Sequence, residues 1–392
     1  MQLKFLLLLP CLLLLGITGT GAAEAEIPEF GPFKEFPLPE NPGTIFAQKL
    51  GAGWDLGNTF DAYDDALKGD PLELESRWVG IKTTREMIQT LRAAGFTSIR
   101  IPVSWHNHVD SDFRIDVAWM DRVQTVVDYA IEEGFYVILN THHDEGEAYF
   151  YPDTAHLNSS LAYLTSVWSQ MAERFRDYDE HLILESMNEP RLKGTDVEWW
   201  YNPGDARCVD SAEIINTLNQ RFVDTVRASG GKNSERFLLV PGYDASADGA
   251  LNAVFRLPTD TLPDHLMVEV HAYTPYEFAL NRQGTANFSA DNQADRSSVA
   301  SFMNSLYDTF VAKGIPVVID EYGALDKDNL QARVDFFAWY VASASARHMP
   351  CFVWDNNLFK GNGERFGFLD RKNLTFPHPE IIEAIMTYAI KQ

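Results

Sequence analysis

LILESMNEPR, residues 182–191, begins as an apolar run and ends in polar residues. Leu182, Ile183 and Leu184 read as a buried β-strand, yet Glu185 lies inside the run. Asn188 and Glu189 stand at its far end, just before Pro190, which has no N–H to give a β-ladder and stops the strand. Either Glu189 is a solvated loop residue, or the strand delivers a carboxylate to a pocket. The rest of the chain has to decide between them.

With 182–189, seven similar runs make eight candidate strands: 51–57, 98–105, 136–143, 237–243, 266–273, 316–323 and 351–357. Amphipathic stretches lie between them at 83–94, 116–133, 159–178, 211–229, 295–313 and 328–346, with a last one near 378–390. Thr83 and Thr84 ahead of Glu86 mark one helix start. Strands alternating with helices imply a parallel sheet, and eight such units imply an α/β (β/α)8 barrel. A doubly wound sheet would usually carry a Gly-rich phosphate loop after its first strand. GWDLGNTFDAYDD, residues 53–65, offers none.

The barrel is expected to be a single catalytic domain over residues 45–392, a length such barrels reach as one unit. The Pro-rich stretch 29–43 belongs to an extended arm, residues 26–44, packing over the body. Residues 1–25 carry an early Lys4, a Leu-rich run broken by Pro10 and then small residues, the order of a secretory signal peptide. Cleavage is expected after Ala23 or Ala25. No later stretch has the length and apolarity to span a bilayer. We therefore expect a secreted, extracellular protein with no membrane partner, acting as a monomer. Losing the leader removes Cys11 and leaves Cys208 and Cys351, whose pairing the sequence leaves open. The formal net charge of −24 argues against nucleic acid, whose phosphates would repel it.

In a barrel the C-terminal strand ends surround one pocket. Here they carry Asn58 and Asp61; Arg100 and His106; His142, His143 and Asp144; Asn188 and Glu189; His271 and Tyr273; Glu321 and Tyr322; and Trp354, Asp355 and Asn356. Alternation along a strand puts Glu185, Met187 and Glu189 on one face, and Met267, Glu269 and His271 on another. Buried acids there need a cation, and Arg100 is the candidate, as charge neutraliser or as orienter of a catalytic carboxylate. The adjacent His142 and His143 point to opposite sides of their strand, which disfavours a shared metal; no metal and no cofactor is expected. No G-x-S-x-G elbow or catalytic-thiol motif occurs.

Glu189 and Glu321 remain as the best pair, and two carboxylates across one pocket suggest glycosidic-bond hydrolysis. One must hold a proton for the leaving oxygen and the other stay ionised, so their surroundings must differ. Tyr273 and Arg100 would hold the nucleophile ionised, while burial near Trp residues would raise the acid. Of the nine Trp, Trp105, Trp199, Trp200 and Trp354 lie at or beyond strand ends. Each would serve core packing or sugar stacking, and for Trp199 and Trp200 the polar loop favours stacking. The loops after strands four and six are long for βα connections, and Trp199, Trp200 and Phe278 would line a groove for leaving-group sugars.

GWDLGNTFDA, IRIPVSW, NTHHD, MNEPR, HAYTPYEF, DEYGA and FVWDNN occur in an order that resembles glycoside hydrolase family five. The likeness runs from about residue 45 to the end and is greatest to its fourth subfamily, endo-β-1,4-glucanases with frequent xyloglucan activity. The resemblance implies a retaining mechanism with Glu189 as acid/base and Glu321 as nucleophile. It implies that Asn188 binds the sugar 2-hydroxyl and that Arg100 and Tyr273 orient the nucleophile. His271 would orient the acid/base, and His142 and Trp354 would hold the sugar in the −1 site. Asn58, His143 and Asn356 carry over as further site residues, and a non-proline cis peptide is implied after Trp354. Asp55 departs from the family, which usually has Asn there. The expected partner is a β-glucan: cellulose, mixed-linkage glucan or xyloglucan. A mannanase or xylanase on the same apparatus, or a non-catalytic carbohydrate-binding barrel, are the alternatives.

Overall fold

The computed structural model describes residues 25–391 apart from Pro32, Glu35 and Lys68. The expected leader therefore falls, but for Ala25, outside the described residues. Eight parallel strands close into a barrel in chain order. They are β1 (Ala52–Leu56), β2 (Ser98–Ile101), β3 (Tyr136–Asn140), β4 (Leu182–Glu185), β5 (Leu238–Ser246), β6 (Leu266–His271), β7 (Val317–Tyr322) and β8 (Cys351–Asp355). β1 pairs with β8 over five residues, from Ala52↔Cys351 to Leu56↔Asp355, and this seam closes the ring.

Ten α-helices accompany the strands among the described residues. The outer ones are α2 (Arg85–Ala94), α3 (Val117–Glu132), α4 (Leu157–Arg174), α5 (Ala206–Ala228), α8 (Gln293–Thr309), α9 (Leu330–Ser345) and α10 (Pro379–Tyr388), close to the sequence reading. Their ends follow local chemistry. Asp116 accepts the Trp119 N–H at the start of α3, and Gly95 closes α2 with a left-handed φ of 105°, a conformation only glycine takes without cost. Between β5 and β6 only α6 (Ala247–Leu251) forms. α7 (Tyr276–Ala279) is a short turn in the loop after β6.

α1 (Pro42–Leu50) was not anticipated, and it begins inside the stretch assigned to the arm. Asn41 and Thr44 cap it reciprocally, with Pro42 at a position where its missing N–H costs nothing. Its Phe46, Ala47 and Leu50 plug the N-terminal mouth of the barrel. They pack on the inward-facing Ile138, Ile183, Leu239, Met267, Val318 and Phe352. Gly53 makes room for that plug, since a Cβ there would lie 2.2 Å from the Phe352 ring. The described residues within 26–40 run outside without helix or strand. Phe30 meets Trp339 and Tyr388 at 5.1 and 5.0 Å between ring centres, and the Tyr307 hydroxyl donates to Pro37 O.

Above the apolar plug the barrel interior turns charged. Arg100 reaches within 4.0 Å of Asp55, Glu185, Asp320 and Glu321, all on the strands around it. The interior is thus layered, apolar at the N-terminal end and ionic toward the C-terminal end. Cys208 and Cys351 are both buried and unbonded.

Candidate active site

β2 brings Arg100 to the barrel axis with no exposure to solvent. Its Nε and Nη2 grip Glu185 at 2.6 and 2.8 Å, while Nη1 donates to Glu321 Oε1 at 2.6 Å. Nη2 also donates to Asn188 Oδ1 at 2.8 Å. Such bidentate, charge-assisted contacts fix geometry as well as charge. The Tyr273 hydroxyl donates to the other Glu321 oxygen at 2.9 Å. Glu321 is therefore a clasped carboxylate with both oxygens engaged.

How Glu321 comes to face the axis is a matter of register. Glu269↔Val318 and His271↔Glu321 are partners, so β7 spends three residues where β6 spends two. An extra residue of this kind re-aims side chains. Asp320 and Glu321, neighbours that would otherwise face opposite ways, both approach Arg100. Asp320 was missed for this reason.

Strict alternation on β4 also fails past its end. Glu185 faces inward, and Met187 leaves that face to join the larger core cluster. The chain then turns so that Asn188 and Glu189 both reach the site. His271 Nδ1 stands 2.9 Å from Glu189 Oε1 and 3.6 Å from Glu321 Oε2, so the imidazole lies between the two glutamates. One ligand atom of each of these three residues lies within 4.8 Å of the others. Arg191 Nη1 is 3.6 Å from Glu189 and its guanidinium stacks 4.1 Å over Trp199.

The expectation that burial raises Glu189 is corrected here. Burial does push the carboxyl up, but the hydrogen bond and charge of His271, with Arg191 and His143, outweigh it and hold it at about 2. Burial lowers His271, whereas Glu321, the Glu189 hydrogen bond and Asp320 bring it up to about 9. Near neutrality Glu189 is therefore the carboxylate and His271 the imidazolium.

The open cleft above these groups has a volume of about 1180 Å³. Its walls include Asn58, His142, His143, Asn188, Glu189, Trp199, Trp200, His271, Tyr273, Glu321 and Trp354. His142 and Trp354 lie parallel, 2° apart with centres 5.9 Å distant. The indole takes this pose without the expected cis bond. Among the described residues the one cis peptide is Thr274–Pro275. Trp354 and Asp355 keep ordinary pairing to β1, and Gly57 leaves the indole the space a side chain would fill.

Asn356 stays out of the cleft: its amide donates to Glu364 O and accepts from Leu358 and Phe366, bracing the loop after β8. Phe278 does not line the groove either. It is buried against Phe288 and Phe336, and Tyr276, exposed and 5.9 Å from Trp200, takes the cleft position instead. Trp105 is fully buried and ties its indole N–H to Asn140 O. His106 and Asp144 hydrogen-bond to each other behind the wall.

Trp78, exposed and near His143 and Tyr63, was missed because it follows no strand. Asp244, at the tip of β5, lines the cleft with a left-handed φ of 58°, a conformation that tends to mark functional sites. Asp61, His142 and His143 carry ligand atoms within 4.8 Å of one another. Asp61, however, already accepts the N–H groups of Asn58 and Thr59 at 3.0 and 2.6 Å.

A closed α/β barrel with two carboxylates facing across an open, aromatic-walled cleft at its C-terminal strand ends defines a glycoside hydrolase. The family model of cellulase (glycosyl hydrolase family 5) matches residues 61–360, and the chain belongs to that family. It is 40% identical over 374 residues to Endoglucanase B of Ruminococcus albus, covering 95% of this chain and 87% of the relative. Its structure is similar to a family 5 lichenase from Caldicellulosiruptor sp. F32, at TM-score 0.91, 48% identity and 93% and 99% coverage of the two chains. A subfamily 4 broad-specificity endoglucanase from Ruminococcus champanellensis with bound cellotriose matches at TM-score 0.83, 41% identity and 90% and 100% coverage. This chain is an endoglucanase of the fourth subfamily.

Proposed function

We propose that the protein is a secreted, monomeric endo-β-1,4-glucanase that works by double displacement with retention. The observation that carries the mechanism is the approach of Glu189 and Glu321 across His271, with an oxygen of each within 4.8 Å of the other. That supports the spacing of about 5–5.5 Å found in retaining enzymes over the 6.5–9.5 Å that leaves room for water in inverting ones. Glu321, aligned by Arg100 and Tyr273, attacks the anomeric carbon. The bond to the leaving sugar breaks as Glu189 passes a proton to its oxygen. That proton comes from His271 Nδ1 through Glu189 Oε1. Water then gives its proton to Glu189, and its oxygen displaces Glu321 from the sugar.

Asn188 spends its amide oxygen on Arg100, which leaves its NH2 to donate to the sugar 2-hydroxyl. Trp354 and His142 supply the wall for the same ring. Trp199, Trp200 and Tyr276 offer exposed faces along the open cleft, a form suited to cutting inside a chain.

The substrate is a β-glucan: cellulose, mixed-linkage glucan or xyloglucan. A reducing-sugar assay over these three with xylan and mannan, combined with viscosity, tests this reading. Hydrolysis with a fast fall in viscosity on a β-glucan is expected. Activity confined to xylan or mannan, or to none, overturns it. Proton NMR of the first product should show the β-anomer before mutarotation.

A further inference from the structure

Below the cleft, His271 is held from both sides. Nδ1 faces Glu189 at 2.9 Å and Glu321 at 3.6 Å. Nε2 faces Glu269 Oε1 at 3.5 Å and Asp320 Oδ1 at 3.7 Å, with Arg100 Nη2 at 3.4 Å. Asp244 from β5 and His142 from just past β3 lie within electrostatic reach of it, and burial favours the neutral form of each. Glu269 and Asp320 are fully buried, and none of their four carboxyl oxygens makes a hydrogen bond. Arg100 does not satisfy them, because its short bonds go to Glu185, Asn188 and Glu321. Asp320 otherwise meets Arg100 Nε at 3.7 Å, and two buried acids facing one ring nitrogen without a hydrogen bond ask for a physical reason.

We infer that Asp320 and Glu269 are positioning residues that act through His271, clasping Nε2 from below so that its proton stays there and a second proton is held on Nδ1 toward Glu189. The inference rests on Glu189 being the acid/base. In the first half-reaction the Nδ1 proton moves to Glu189 and on to the leaving oxygen, and the imidazole is left neutral with Nε2–H pinned by the two acids. In the second, the proton that water gives to Glu189 returns to Nδ1. The ring neither turns nor changes tautomer between the halves. An imidazole oriented by a buried acid on one nitrogen while the other moves a proton is sound general chemistry.

The electrostatics give the sign of the test. Burial pushes Asp320 up to about 8, with Glu185 adding to it and Arg100 opposing. Asp320 is thus neutral at pH 6 and ionised in the range where His271, at about 9, loses its proton. An anion beside the imidazolium sustains that proton, so the alkaline limb of the rate profile depends on Asp320 more than the activity at pH 6 does.

Asp320→Asn should cost less in kcat/KM on soluble β-glucan at pH 6 than on the alkaline side. It should move the alkaline limb down by about one unit, the size expected for losing a charge at this distance. An activated aryl glycoside, which needs little protonation, should show no such movement. Glu269→Gln is read the same way if Asp320→Asn fails to fold. The His271 imidazole titration, followed by 15N NMR, should fall with the limb. An unmoved limb and titration overturn the inference, as does an equal loss at every pH and on both substrates. If the wild type itself shows no difference between the two substrates in its alkaline limb, the acid/base reading of Glu189 fails instead.

Discussion

Glu321 and Glu189 stand across one cleft but are held differently. Glu321 is clasped by Arg100 and Tyr273 with 6% of its side chain exposed. Glu189 has 18% exposed, and its carboxylate makes one hydrogen bond among the described residues, to His271. In the proposed mechanism Glu321 is the nucleophile, and two fixed donors keep it aligned. An acid/base must give up a proton and regain it from water, which calls for a proton-holding partner and an opening to solvent. In the proposed mechanism this asymmetry separates two identical side chains into two roles.

The largest effect should come from breaking the clasped side. Glu321→Gln removes the proposed nucleophile and should cost on the order of 10⁶-fold in kcat, the scale seen for deleting a covalent nucleophile. The loss should be the same for polysaccharide and activated aryl glycoside. Glu189→Gln should be smaller and selective, about 10²–10⁴-fold on natural β-glucan. Its kcat/KM on the activated glycoside should be nearly unchanged, and added azide, replacing the water that needs a base, should restore turnover. If Glu189→Gln and Glu321→Gln behave alike on both substrates, the division of roles is wrong.

The support beneath the clasp comes next. Arg100→Met strands Glu185 and Glu321 in the interior, and removing one partner of a buried ion pair costs about 3–5 kcal/mol. Urea unfolding should show that loss, and one under about 1 kcal/mol would mean that the carboxylates do not depend on Arg100. Farthest from the chemistry, Trp200→Ala should weaken hydrolysis of long chains by about 0.5–1.5 kcal/mol of stacking. It should leave a short activated glycoside that does not reach the loop unaltered. Equal loss on both would make Trp200 a packing residue.

The sequence by itself determined the eight-unit barrel and the main residues at its C-terminal rim. Strand and helix periodicities are local, and a closed barrel makes every strand end converge on one pocket. Glu189, Glu321, His271, Tyr273 and Trp354 were legible on that ground, as was Arg100 as the cation beneath them. What needed a break in local periodicity was not legible. The extra residue in β7 turns Asp320 inward beside Glu321, and the turn after β4 sends Met187 to the core while Asn188 and Glu189 go to the site. Phe278 is buried and Tyr276 takes the cleft position expected of Phe278, because loop packing decides which aromatic is buried. The protonation of Glu189 was also beyond the sequence. It depends on the 2.9 Å approach of His271, a residue 82 positions away in the chain, and local sequence carries neither that distance nor the burial that gives it force.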